Sequence, residues 1–134
     1  MSDVVLVEDD PDLQILTAMM LEAHGHVTRA FGDGASALKA CVDNPPAVIL
    51  LDWCLPGMTG LEILRALREH PATAHVPVVM VTALDRPENV ADAFDSGAQE
   101  YVRKPFNGRS LLGAVERQIE AQRVPAQGHH RMSA

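Results

Sequence analysis

The stretch Ala47-Val48-Ile49-Leu50-Leu51-Asp52 decides how this chain folds. Five consecutive apolar residues without polar alternation describe a strand buried on both faces, the condition of a strand inside a parallel sheet covered by helices. The run stops on a carboxylate, and the same pattern recurs on either side of it. Upstream, residues 4–7 run into Glu8 and Asp9, and residues 27–31 form a second β-rich run. Downstream, residues 76–81 run into Thr82, and a shorter strand over 100–103 runs into Lys104.

Helical patterns fill the intervals. Leu13, Leu16, Thr17, Met20 and Leu21 recur at helical spacing, with Asp10 and Pro11 as cap and first-turn proline and Gly25 as the stop. Ala35, Leu38 and Val42 mark a short second helix, and Leu61, Leu64 and Leu67 a third. Val90, Ala93 and Phe94 mark a fourth that ends at Gly97, and Leu112, Val115 and Ile119 a last one. Strands alternating with helices of about ten residues predict an α/β domain: a five-stranded parallel sheet, doubly wound as (βα)5, with right-handed crossovers. The expected domain covers residues 1–123. Residues 124–134, with Pro125, Gly128 and no apolar periodicity, read as a flexible C-terminal tail with no second domain after it.

Composition narrows the function classes. The 134 residues are 47% hydrophobic and 22% charged, the balance of a globular protein with one core. Acidic residues outnumber basic ones 18 to 11, a formal charge of −7, and such a field repels a phosphate backbone and an anionic membrane surface. Neither direct nucleic-acid contact nor membrane attachment is expected. Cys41 and Cys54 have no zinc-site or disulfide spacing, and the N-terminus carries no basic segment leading into a long apolar run, so a reducing, cytoplasmic setting is expected.

In an open parallel sheet all strand C-termini lie on one edge, where ligands bind near the reversal in strand order. Glu8, Asp9, Asp52, Thr82 and Lys104 are therefore expected to converge there. Carboxylates gathered without a cation repel one another, and a metal relieves the conflict. Hard oxygen donors with few carboxylates bonded directly suit Mg2+ at a site of phosphoryl chemistry, and Lys104 adds a second positive charge. An aspartate in such a place is a candidate nucleophile kept ionised by its neighbours, and Thr82 a hydroxyl donor. Small Ala83 leaves room beside it. Pro105 holds Lys104 extended and predicts a cis peptide bond between them.

Val-Glu-Asp-Asp-Pro at 7–11, Leu-Leu-Asp-Trp-Cys-Leu-Pro-Gly-Met-Thr-Gly at 50–60, Val-Thr-Ala at 81–83 and Tyr-Val-Arg-Lys-Pro-Phe at 101–106 carry a family resemblance. Together, in this order and on these strand ends, they resemble the receiver domains of bacterial two-component response regulators, over essentially all of 3–122. The resemblance implies a flavodoxin-like strand order, 2-1-3-4-5. It implies Asp52 as phosphoacceptor, Asp9 as the carboxylate bound directly to Mg2+, and Glu8 as the second acid, acting through water. The backbone carbonyl of Cys54 falls at the remaining ligand position. Thr82 and Lys104 match the groups that hold phosphoryl oxygens, and Thr82 with Tyr101 matches the pair that reports phosphorylation. It further implies a histidine kinase or histidine phosphotransfer protein as donor, a downstream protein as reader, and a regulatory protein that catalyses its own phosphotransfer and dephosphorylation. The reading that results is a stand-alone response regulator, a monomer or weak dimer. Ala91 or Asp92 and Ala114 stand where dimerising relatives carry basic residues.

Simpler readings cover the remaining features. Asp10 is a cap, Cys41 a core residue and Cys54 an exposed, inert thiol. His24, His26, His129 and His130 are expected on solvated surface, and Asp85, Glu88, Asp92 and Asp95 on a solvated helix face. Three rival functions fit the residues less well. A docking module working without phosphorylation would not need Asp9, Asp52, Thr82 and Lys104 together. A flavin carrier would want a Ser/Thr/Gly-rich loop after the first strand, where Glu8, Asp9 and Asp10 repel phosphate. An aspartyl phosphatase would want an acid at position 54.

Overall fold

A computed structural model describes residues 2–123. The elements run β1 (Asp3–Val7), α1 (Pro11–Ala23), β2 (Val27–Phe31), α2 (Gly34–Asp43), β3 (Val48–Leu51), α3 (Gly60–Glu69), β4 (Val78–Thr82), α4 (Pro87–Asp95), β5 (Glu100–Arg103) and α5 (Gly108–Arg123). The five strands form one sheet in the order β2-β1-β3-β4-β5, every neighbouring pair parallel. The fold is the doubly wound α/β arrangement expected, in the flavodoxin-like order. The tail expected over 124–134, with His129 and His130, lies outside the described residues.

The sheet divides the core in two. Val5, Val7, Ile49, Leu51, Val78 and Met80 face α2, α3 and α4, while Val4, Leu6, Val48, Leu50, Val79 and Val81 face α1 and α5. Alternate residues of one apolar run thus serve opposite cores, which explains the lack of polar alternation. Each fully buried Val, Leu or Ile contributes roughly 1.5–3 kcal/mol of transfer free energy, so β1, β3 and β4 hold their C-terminal ends as a rigid edge.

The helix faces depart from expectation on α4, where Phe94 is 45% exposed and only Ala93 is buried, and in two further places. On α2 the buried residues are Gly34, Ala37 and Cys41, one position off the stripe Ala35, Leu38 and Val42. Small residues win that face because α2 lies close to α3: a Cβ on Gly34 would stand 2.2 Å from Ile63 Cδ1. On α1, Thr17 and Leu21 are buried, whereas Leu16 is exposed along with Ile15 and Met19. With six apolar side chains around this helix, periodicity alone does not select the inward one. β4 begins at Val78, not at residue 76. Pro77 has no N–H for the ladder, although its carbonyl accepts from Ile49 N at 2.9 Å.

Two surface expectations also change. Ala114 is fully buried against the sheet, so it is not a surface position at which a basic residue is missing. Of the exposed arginines on α5, Arg117 pairs with Glu100 of β5 at 2.6 Å. His26 is not solvated: its side chain is only 9% exposed, because the turn from α1 to β2 folds it under α5.

Candidate functional site

Four strand ends bring the predicted residues to one edge. Glu8 and Asp9 follow β1, Asp52 follows β3, Thr82 closes β4 and Lys104 follows β5. β1 lies between β2 and β3, so the chain reverses direction across the sheet there, and the crevice beside it is where doubly wound sheets bind ligands. Asp52 N donates to the Val7 carbonyl at 3.1 Å, which fixes the aspartate's backbone to β1.

Lys104 organises the polar centre. Its Nζ donates to Glu8 Oε1 at 2.6 Å and to Asp52 Oδ2 at 2.8 Å. Asp52 Oδ1 accepts from Cys54 N at 3.1 Å, and Glu8 Oε2 from Asp10 N at 3.1 Å. Glu8 and Asp52 are 4% and 5% exposed, whereas Asp9 is exposed. Burial disfavours the charge on Lys104, but the hydrogen bonds and charges of Asp52 and Glu8 outweigh it and raise its pKa above the ordinary lysine value. One carboxylate oxygen from each of Glu8, Asp9 and Asp52 lies within 4.8 Å of the others. Three carboxylates against one ammonium leave the pocket electronegative, with oxygen donors that fit a hard divalent cation.

The supporting backbone explains the local sequence. Asp10 caps α1 through Asp12 N and Leu13 N, as expected, and Gln14 Nε2 donates to the Glu8 carbonyl at 2.9 Å. Gly60 N donates to the Trp53 carbonyl at 2.7 Å, and a Cβ there would stand 2.2 Å from the Asp52 carbonyl oxygen. Only glycine lets α3 start against the acceptor loop, and a capping box of Thr59 and Glu62 begins the helix. The Lys104–Pro105 peptide is cis, as Pro105 led us to expect.

Thr82 is fully buried, and its Oγ1 accepts a long 3.4 Å bond from Leu84 N. Tyr101 is half-buried, and its hydroxyl donates to the Leu84 carbonyl. Burial first, then the nearby Asp85 and Cys54, raise the Tyr101 pKa. The Leu84 backbone, through its N–H on one side and its carbonyl on the other, thus joins Thr82 to Tyr101, a link that sequence reasoning missed because it runs through backbone atoms, which carry no residue signature. Gln14 and Gly60 were missed as well, Gln14 because its side-chain amide meets a backbone carbonyl and Gly60, inside a quoted motif, because its part is to lack a Cβ.

Cys54 is exposed and Cys41 buried, and burial pushes the Cys41 thiol up to about 11. A thiol reagent at neutral pH is therefore expected to modify one cysteine quickly in the native protein, and Cys54→Ser to remove that phase. Two fast thiols would contradict the packing of α2.

The fold and this edge define a class, a doubly wound α/β domain with an acidic crevice bridged by lysine at the reversal point. The chain belongs to the response regulator receiver domain family, which matches residues 4–116. It is 38% identical over 116 residues to the DNA-binding response regulator MtrA of Mycolicibacterium smegmatis, covering 87% of this chain and 50% of that protein. The chain thus spans about half the length of the curated relatives it matches. Among solved structures it resembles the chemotaxis response regulator CheY4 of Vibrio cholerae, with a TM-score of 0.83 and 29% identity over 88% of this chain and 98% of that one. It also resembles the receiver domain of the sensor histidine kinase PA1611 of Pseudomonas aeruginosa, with a TM-score of 0.82 and 27% identity over 89% and 98% of the two chains. That structure has a magnesium ion coordinated in its active-site cleft. Among the described residues no helix is long and apolar enough to cross a membrane.

Proposed function

We propose that residues 1–123 form a receiver unit that accepts a phosphoryl group on Asp52 from a phosphohistidine of a kinase or phosphotransfer protein, and so switches a surface read by a downstream protein. The observation that carries this reading is the Lys104 ammonium held between Glu8 and Asp52, with Asp9 close by. In the transfer the phosphorus–nitrogen bond of the donor breaks as a phosphorus–oxygen bond to the Asp52 carboxylate forms, and the imidazole leaves. Water later attacks the acyl phosphate and restores the carboxylate. Such transfers depend on positioning and on stabilising charge spread over the phosphoryl oxygens. Lys104 supplies fixed positive charge, and Thr82, at the end of β4, supplies a hydroxyl. Glu8, Asp9, Asp52 and the Cys54 carbonyl would hold Mg2+, as the magnesium in the PA1611 cleft suggests. When bound, that cation neutralises charge on the phosphoryl oxygens. The full chain carries a formal charge of −7, and this span is proposed to contact protein and not nucleic acid.

Division of labour among the acids is testable through Trp53, the single tryptophan, which adjoins Asp52. Asp9→Ala is expected to weaken Mg2+ binding, read by Trp53 fluorescence, by at least about tenfold, and Glu8→Ala by less. Equal losses would remove the distinction between direct and water-mediated ligands. Phosphotransfer itself is tested by incubating the protein with histidine-phosphorylated kinases of the same cell and Mg2+; no transfer from any of them would overturn the reading.

The route outward from Asp52 runs through Leu84. A phosphoryl oxygen offers Thr82 a charge-assisted bond stronger than a neutral one, and turning the hydroxyl toward it releases Leu84 N. The Leu84 peptide then moves with its bond to Tyr101, so phosphorylation shifts a pre-existing equilibrium at β5 and α4. Thr82→Ala is expected to leave Asp52 able to accept phosphate while at least halving the beryllofluoride-induced NMR shifts over residues 88–109. Full-sized shifts in Thr82→Ala would contradict the coupling.

A further inference from the structure

On the edge of the sheet opposite Asp52, the turn from α1 to β2 and the last turns of α5 enclose a cavity of about 470 Å³. His24, His26, Glu116 and Glu120 line it, with Arg123 as the one Lys or Arg side chain among the described residues that do so. The His26 side chain is 9% exposed, and neither ring nitrogen has a hydrogen-bond partner among the described residues. Buried polar atoms without partners are rare and call for one, whether a water, an ion or a ligand. His26 Nε2 lies 3.6 Å from Glu116 Oε2. That is too long for an N–H···O bond, which spans roughly 2.7–3.2 Å. It is close to the separation of about 3.4 Å between two donors that each sit about 2.0–2.2 Å from a tetrahedral zinc ion.

A second histidine lines the same cavity. His24 Nδ1 is 3.0 Å from the Met20 carbonyl. A carbonyl only accepts, so in this rotamer a neutral ring carries its proton on Nδ1, and turning the ring into the cavity gives up that bond. Glu120 stands one turn beyond Glu116 on the same helix face. Two imidazoles with carboxylates favour a borderline transition-metal ion over Mg2+, which prefers oxygen alone.

We propose that His26 and Glu116 are the preplaced ligands of a divalent transition-metal site of the Zn2+ class, completed by rotation of the exposed side chains of His24 and Glu120. Bound metal would tie α5 to the turn between α1 and β2, far from the phosphoacceptor edge and independently of its role. The test uses the full chain in saturating Mg2+, so that the Asp9 and Asp52 edge is occupied, and titrates Zn2+ against a chromogenic chelator. One Zn2+ per chain is expected. Affinity should fall at least tenfold in His26→Gln and in Glu116→Gln, and should be unchanged in the double variant His129→Ala, His130→Ala. Glu116 is exposed, so its substitution leaves the core intact and serves if His26→Gln fails to fold. No stoichiometric binding would mean a plain His–Glu contact, and Zn2+ affinity insensitive to Glu116→Gln, or lost with the tail histidines, would place the metal elsewhere. Any of these overturns the proposal.

Discussion

Lys104→Ala is expected to slow phosphorylation of the protein by a small phosphodonor on the order of 10²-fold or more at saturating Mg2+, the loss typical of removing one preorganised charge donor from a transition state. The same substitution should destabilise the fold. Lys104 lies between two buried carboxylates at 2.6 and 2.8 Å, and without it Glu8, Asp9 and Asp52 face one another uncompensated. An exposed pair contributes about 0–1 kcal/mol, and breaking a fully buried one costs about 3–5. A side chain 19% exposed falls between, so roughly 1–3 kcal/mol is expected by urea unfolding without divalent cation. Added Mg2+ should recover part of it, because binding to the native state alone stabilises by mass action. The pH dependence follows from the raised pKa of Lys104. The contribution is complete below the ordinary lysine value of 10.5 and fades as pH rises through the higher folded value. A stability difference between wild type and Lys104→Ala that stayed constant into strongly alkaline solution would contradict the pairing.

The parts of the molecule legible in the sequence are those where one residue type has one physical solution. Residues 47–51 have no polar face, so β3 is central, and each central strand stops where a polar group meets the open edge. That placed Glu8, Asp9, Asp52, Thr82 and Lys104 together before any contact was known. Asp10 with Pro11, and Pro105 after Lys104, were legible because caps and prolines restrict the backbone directly. Face assignment failed where composition offered too many or too few apolar residues. Ile15, Leu16 and Met19 are exposed on an apolar helix, and small Gly34, Ala37 and Cys41 take the inside of α2. His26 was misread because burial of a polar ring depends on how a turn packs under a distant helix. Leu84 was invisible because its part is played by its N–H and carbonyl, which every residue but proline has.

A carboxylate oxygen of Asp52 is the proposed destination of the phosphoryl group. The residue is buried at the end of β3, held by Lys104 and Cys54 N, and it has Thr82 and the other two acids as neighbours on the same edge. The direct measurement is to treat the protein with a small acyl-phosphate donor and Mg2+, quench with hydroxylamine, and locate the product by peptide mass mapping. Hydroxylamine displaces phosphate from an acyl phosphate and leaves a hydroxamate on the carboxyl that carried it. The expected result is a hydroxamate on Asp52 alone, absent from Asp52→Asn and from samples with excess chelator. A hydroxamate on Glu8 or Asp9, or labelling that persists in Asp52→Asn or without divalent cation, would contradict the account.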